Sequence, residues 1–140
     1  MNETELAQEI ASYQGKGYVI APAGFGKTHL IALAVMATDE RQLVLTHTYA
    51  GVNALQKKMR FLGVAPSKYK IDTIASWALR LCLAYPNNSN WNVEQPTNND
   101  QWQQLYNACT FLLAKEFIQK IIRASYSGFF VDEYQDCSAA

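Results

Sequence analysis

The segment Ala21-Pro22-Ala23-Gly24-Phe25-Gly26-Lys27-Thr28 constrains this chain more than any other. It follows a short apolar run, residues 18–21, and leads into residues 27–38, which are rich in helix formers. Strand, glycine-rich loop and helix in that order suit a phosphate group. Gly24 and Gly26 let the backbone curl until its N–H groups converge on an anion, and the helix that follows turns its positive dipole end to the same point. Lys27 is then placed to reach the β- and γ-phosphates of a nucleotide, and the Thr28 hydroxyl to hold magnesium. Ala21 stands where the commonest form of the pattern has glycine. From average residue usage, such a loop arises by chance in a chain this long about once in a thousand. An ordinary glycine-rich turn is therefore a poor account of it.

The remaining pattern predicts an α/β fold. Residues 4–13 carry Leu6, Ile10 and Tyr13 at helical spacing, with Thr4 as N-cap, and Gly15 and Gly17 end that helix. Residues 42–46 read as a buried strand and 52–62 as a helix closed by Gly63 and Pro66. A brief strand at 70–72 leads to a helix over 73–84. Residues 86–99 hold six asparagines and predict an exposed loop, and Trp91 within it is the one tryptophan not assigned to core packing. Asp100 is placed to cap a long helix in which Trp102, Leu105, Tyr106, Cys109, Leu112, Leu113, Phe117 and Ile121 form one apolar stripe. Trp77 and Trp102 lie at core spacing. Strands alternating with helices predict a parallel sheet covered on both faces.

A second acidic feature closes the chain. Phe129-Phe130-Val131 runs into Asp132-Glu133, which puts Asp132 at the carboxyl end of a strand, where open α/β sheets bind ligands. Asp132 can hold magnesium through water, and Glu133 can orient and deprotonate an attacking water. A strand running into a solvated acidic turn is common, so the pairing with the loop at 21–28 carries this reading.

Composition bounds the partners. The 140 residues hold 12 basic and 12 acidic side chains, so no overall basic field announces nucleic acid. Between Arg41 and Ile71, however, six basic residues (Arg41, Lys57, Lys58, Arg60, Lys68, Lys70) occur with no acidic one. A solvated helix face is the bland account of that stretch. Cys82, Cys109 and Cys137 have neither disulfide-framework nor zinc spacing, and His29 and His47 lack metal-ligand partners at suitable spacing. The polar N-terminus is unlike a signal peptide, and the longest apolar run, 30–37, is too short to span a bilayer, so a reduced, cytoplasmic setting is expected.

With these residues in view, the chain resembles the first half of a UvrD/Rep-like superfamily 1 DNA helicase. The loop at 21–28 matches that family's motif I, including alanine in the first position, and Asp132-Glu133-Tyr134-Gln135-Asp136 matches motif II over all five residues. Thr46-His47-Thr48-Tyr49-Ala50 stands where the family has motif Ia, usually TFTNKAA, and Thr73-Ile74-Ala75-Ser76 where it has TFHS. Two positions depart: His47 replaces an aromatic that contacts a base, and Ala50 replaces a lysine.

The resemblance implies an incomplete RecA-like domain over residues 1–140, with residues 85–126 as a reduced insertion in place of the helical 1B subdomain. It implies ATP and Mg2+ as ligands and single-stranded DNA or duplex junctions as partner. Nucleotide contacts fall on Gln8, Ala21, Pro22, Ala23, Gly24, Phe25, Gly26, Lys27, Thr28 and His29, with Gln8, 19 positions before Lys27, as the adenine-reading glutamine or else an exposed helical residue. Metal falls on Thr28 and Asp132, and catalysis on Lys27, Glu133 and Gln135, with Gln135 sensing the γ-phosphate. DNA contacts fall on Thr46, His47, Thr48, Thr73, Ser76 and Lys57, and Asp136 couples the sites. A second RecA-like domain with its arginine fingers is expected beyond Ala140, without which hydrolysis is weak. Two other outputs stay open: a phosphate-loop ATPase that remodels proteins or signals, and a nucleotide-binding module without catalysis.

Overall fold

The computed structural model describes residues 3–12 and 26–132. The expected strand at 18–21, the loop up to Phe25 and the acidic motif from Glu133 onward lie outside these residues. The chain divides into two units, one formed by residues 1–72 with 126–140 and one by 73–125.

The first unit carries helices α1 (Glu3–Ser12), α2 (Lys27–Ala37) and α3 (Tyr49–Leu62), and strands β1 (Gln42–Thr46), β2 (Tyr69–Thr73) and β3 (Gly128–Asp132). The strands form one sheet in the order β2-β1-β3. β1 and β3 run parallel and end level, Thr46 opposite Asp132. All five residues of β1 are buried, as the central strand of a covered sheet requires. Val44 joins Ala32 and Val35 of α2 and Leu55 and Met59 of α3 in one apolar cluster, with Phe130 of β3 packed against it. On another side of α2, Leu33 and Ala34 pack with Ala7 of α1. This accounts for the sequence of α2, which is apolar all round because it is covered on more than one side.

The direction of α2 follows from how it is tied. Only residues 38–41 separate it from β1. Lys68, just before β2, donates from its Nζ to the carbonyl oxygens of Met36 (3.4 Å) and Thr38 (3.0 Å). A cation at a helix carboxyl end also meets the negative end of the helix dipole. One of the six basic residues of the charged stretch thus has a structural task. The end of α2 and the starts of β1 and β2 share one edge of the sheet. An 11-residue helix and a five-residue strand are both about 16 Å long, so α2 runs back across the sheet and begins near the opposite, carboxyl edge.

The second unit is helical: α4 (Ile74–Ala84), the single-turn α5 (Pro86–Ser89), α6 (Asn99–Leu113) and α7 (Glu116–Ser125). Its core brings together Ala78, Cys82, Trp91, Leu105, Cys109, Leu112 and Ile118. It takes in α4, so it starts earlier than the expected insertion at 85–126.

Three expectations are corrected here. The asparagine-rich stretch is not simply an exposed loop: Trp91 is only 7% exposed, and its indole N–H donates to the Val93 carbonyl at 2.8 Å. Ser89 anchors the same segment, donating from Oγ to the Cys82 carbonyl (2.9 Å) and accepting from the Trp91 N–H (3.2 Å). The cap of α6 is Asn98, whose side chain accepts from the Gln101 N–H at 2.8 Å, and not Asp100, which lies in the first turn. Gln101 answers by accepting from the Thr97 N–H at 2.7 Å. Finally, the long helix is two. A break at residues 114 and 115 resets the helical phase, so Ile118 is buried and Ile122 packs beside the core while Phe117 and Ile121 face outward.

Cys82 and Cys109 are neighbours in this core. Burial pushes both thiols up, Cys109 to about 12 with the adjacent Cys82 adding to the effect. Among the described residues, no helix is long and apolar enough to cross a membrane.

Candidate functional site

The described part of the site lies at the carboxyl edge of the sheet in the first unit. β1 delivers Thr46 there and β3 delivers Asp132, held level by the parallel register. With its carboxyl end tied to Lys68 at the other edge, α2 brings Gly26, Lys27, Thr28 and His29 toward this carboxyl edge.

The N-terminus of α2 has an unusual local chemistry. Its cap residue, Gly26, sits in the left-handed region at φ 77°, where a side chain would be strained. Among the described residues no side chain caps the helix, and no acidic residue occupies its first turn. The first backbone hydrogen bond, from the Leu30 N–H to the Gly26 carbonyl at 2.9 Å, belongs to the end of that turn. The N–H groups before it have no intrahelical acceptor, as at any helix start. Most helices supply an oxygen from Ser, Thr, Asp or Asn at this point. Here the sequence supplies glycine, lysine and threonine, which suits an incoming anion. Thr28 and Asp132 offer a hydroxyl and a carboxylate, hard oxygen donors of the kind magnesium takes. The donor set therefore fits Mg2+ together with a phosphate chain.

A second group of candidate residues surrounds the turn from β1 into α3. Thr46 is buried, whereas His47 and Thr48 are exposed. Thr48 caps α3, its Oγ1 accepting from the Gly51 N–H at 3.0 Å. The helix therefore starts at Tyr49, earlier than the apolar spacing from Val52 indicates. Gly51 is the contact point: a Cβ there would lie 2.5 Å from the Thr46 Oγ1. Only a residue without a side chain lets the first turn of α3 sit against the end of β1. Lys57 is exposed further along α3.

Thr73, the last residue of β2, caps α4 by accepting from the Ser76 N–H at 3.0 Å. Ser76 lies in the first turn of α4, within hydrogen-bond reach of Arg80 (3.4 Å from its Oγ). Gln8 is exposed on α1, where it lines a shallow cavity with Leu33, Met36 and Ala37. Those residues belong to the carboxyl half of α2, so the structure does not bring Gln8 against Gly26 and Lys27. The remaining candidates, Ala21, Pro22, Ala23, Gly24, Phe25, Glu133, Gln135 and Asp136, lie outside the described residues.

Sequence reasoning passed over two residues here. Tyr49 is 71% exposed in the first turn of α3, and Phe61, in the last turn, is 82% exposed. The signal for Tyr49 was the Thr48-x-x-Gly51 cap, which moves the helix start upstream of the apolar spacing.

No protein-family model, curated protein or solved structure matches the chain.

Proposed function

We propose that this chain is the ATP-binding portion of an ATP-dependent 3′ to 5′ DNA helicase or translocase of the UvrD/Rep type. The observation that carries the reading is the start of α2: left-handed Gly26, no side-chain cap, no acidic first-turn residue, then Lys27 and Thr28. The level ends of β1 and β3, which present Asp132, support it.

In this reading the N–H groups at the start of α2 bind the β-phosphate, and Lys27 neutralises the β- and γ-phosphates. Thr28 and Asp132 would hold Mg2+, which would offset the charge of the phosphate chain. Glu133 orients the attacking water and takes its proton, Gln135 senses the γ-phosphate, and Asp136 transmits its state to the DNA-contacting residues. A second RecA-like domain supplies arginine fingers from the other side. Loss of such groups costs about 10³- to 10⁵-fold in rate, so efficient turnover in this reading needs both domains.

A second reading, a phosphate-loop ATPase that remodels proteins or signals, draws on His47 and Ala50, which depart from the DNA-contacting motif. Stimulation of ATPase activity by single-stranded DNA, in a protein that adds the second domain, separates the two. For the ATP-binding claim, calorimetric titration of the chain with ATP and Mg2+ is the direct test. Lys27→Ala should weaken binding at least tenfold without altering the circular dichroism spectrum. Equal affinity in variant and parent overturns the reading.

A further inference from the structure

We propose that the carboxyl end of α3 and the turn after it are a docking site for an acidic peptide segment of a partner protein. An apolar side chain of that peptide covers Phe61, and carboxylates beside it meet Lys58 and Arg60. The inference goes beyond the nucleotide reading and stands without it.

Phe61 is 82% exposed, more than any other large apolar side chain among the described residues. The helix ends just after it. Gly63, at φ 73°, turns the chain away, and the Gly63 and Val64 N–H groups return to the Arg60 and Met59 carbonyls (3.1 and 2.9 Å). That turn buries Val64 but leaves Gly63, Ala65 and Pro66 exposed, so the ring stands at the head of a short apolar surface. A Cβ added at Gly63 would meet nothing within 4 Å, so the space beside the turn is open. A phenyl ring left in water gains from an apolar side chain that covers it, and such rings are common anchors of protein interfaces.

Charge chooses the chemistry of the occupant. The dipole of α3 accounts for one basic residue in its last turn, Arg60. It does not account for Lys58, which stands before that turn and holds its ammonium 5.7 Å from the centre of the Phe61 ring. No acidic residue occurs from Arg41 to Ile71, so a carboxylate approaching this ring meets cations and no repulsion. Position favours a peptide over a nucleic-acid strand. α3 leaves β1 at the carboxyl edge of the sheet, and Phe61 lies about 18 Å further along the helix, toward the edge where β2 begins. The next aromatic residue, Tyr69, packs against the core. Strands of unpaired bases are held by rings repeated along a groove. One ring beside cations fits a single apolar side chain set among carboxylates.

The test is selection from a phage-displayed library of random dodecapeptides on the full 140-residue chain, with the Phe61→Ser variant for counter-selection. Enriched sequences should carry Asp or Glu on both sides of a Leu, Ile, Phe or Trp. A synthetic peptide of the enriched sequence, labelled with fluorescein, is then titrated by anisotropy. Phe61→Ser should weaken its binding about tenfold, as loss of a central anchor does, and Phe61→Leu should restore most of it. Lys58→Glu should weaken it about fivefold at low salt and less at high salt. Phe61 is exposed, so its variants should unfold at the parent temperature. Failure to enrich any sequence above the Phe61→Ser background overturns the inference, and so does enrichment of basic or uncharged sequences. Equal affinity of the peptide for Phe61→Ser and the parent overturns it too. A labelled oligothymidylate whose affinity falls about tenfold in Phe61→Ser has the same force, since the ring then holds a base.

Discussion

The sheet unit and the helical unit put their polar and aromatic residues to different uses. In the sheet unit the strands lead to polar residues at one edge, α2 starts at a glycine with no side-chain cap among the described residues, and α3 adds exposed basic and aromatic side chains. In the helical unit the conspicuous residues point inward: Trp91, Ser89, Cys82 and Cys109 are all buried. Thr46 and Asp132 end level at one edge of the sheet, whereas Ser89 in the helical unit is committed to holding the segment around Trp91. The contrast separates residues that can change function from residues that can only change stability.

The sharpest attempt to break this contrast is Leu105→Ala. Leu105 is fully buried at the centre of the helical core, and such truncations cost about 2–5 kcal/mol. Urea unfolding should show that loss while the folded variant keeps its ATP affinity. A tenfold fall in ATP affinity would merge the two units functionally.

Next in size is Gly51→Ala in the sheet unit, where the new Cβ meets the Thr46 side chain. Overpacking of this kind costs about 1–3 kcal/mol, and Thr46→Ala in the same chain should return part of it. Strict additivity in that double-mutant cycle would argue that α3 and β1 do not touch at this point.

Alkaline pH probes the helical unit alone. Its buried thiols hold their protons to higher pH than exposed ones, Cys109 to about 12. Their contribution to stability is fully present below about pH 8.5, the ordinary cysteine value, and is lost as pH rises toward the folded-state value. Replacing both cysteines with alanine should flatten the fall in stability between those limits, read from urea midpoints.

The smallest effect expected is that of Asn98→Ala, about 1 kcal/mol from loss of the α6 cap, against a near-neutral Asp100→Asn. A larger cost at Asp100 would restore it as the cap.

The sheet was legible in the sequence because its strands are short apolar runs that end in polar residues: 42–46 and the run into Asp132 could be read directly. The helical unit was less so. Nothing in local composition marks the break at residues 114 and 115, which has no glycine or proline and leaves Ile118 and Ile122, not Phe117 and Ile121, against the core. Trp91 was hidden by its polar neighbours, since burial of that ring depends on Ser89 and the Val93 carbonyl, contacts that spacing does not encode. Within the candidate site, the place of Gly26 at a helix start and of Asp132 at a strand end was legible. The exposure of Tyr49 was not, because it depends on where a capping threonine starts the helix.

The level ending of β1 and β3 also says where this chain can change length. Inserting or deleting one residue within either strand reverses which face each following side chain meets, and moves Thr46 and Asp132 out of step by about 3.3 Å. The asparagine-rich segment beyond the Ser89–Val93 anchor carries no such register. Relatives of this chain should therefore vary in length around the helices, while both strands keep their length to the residue.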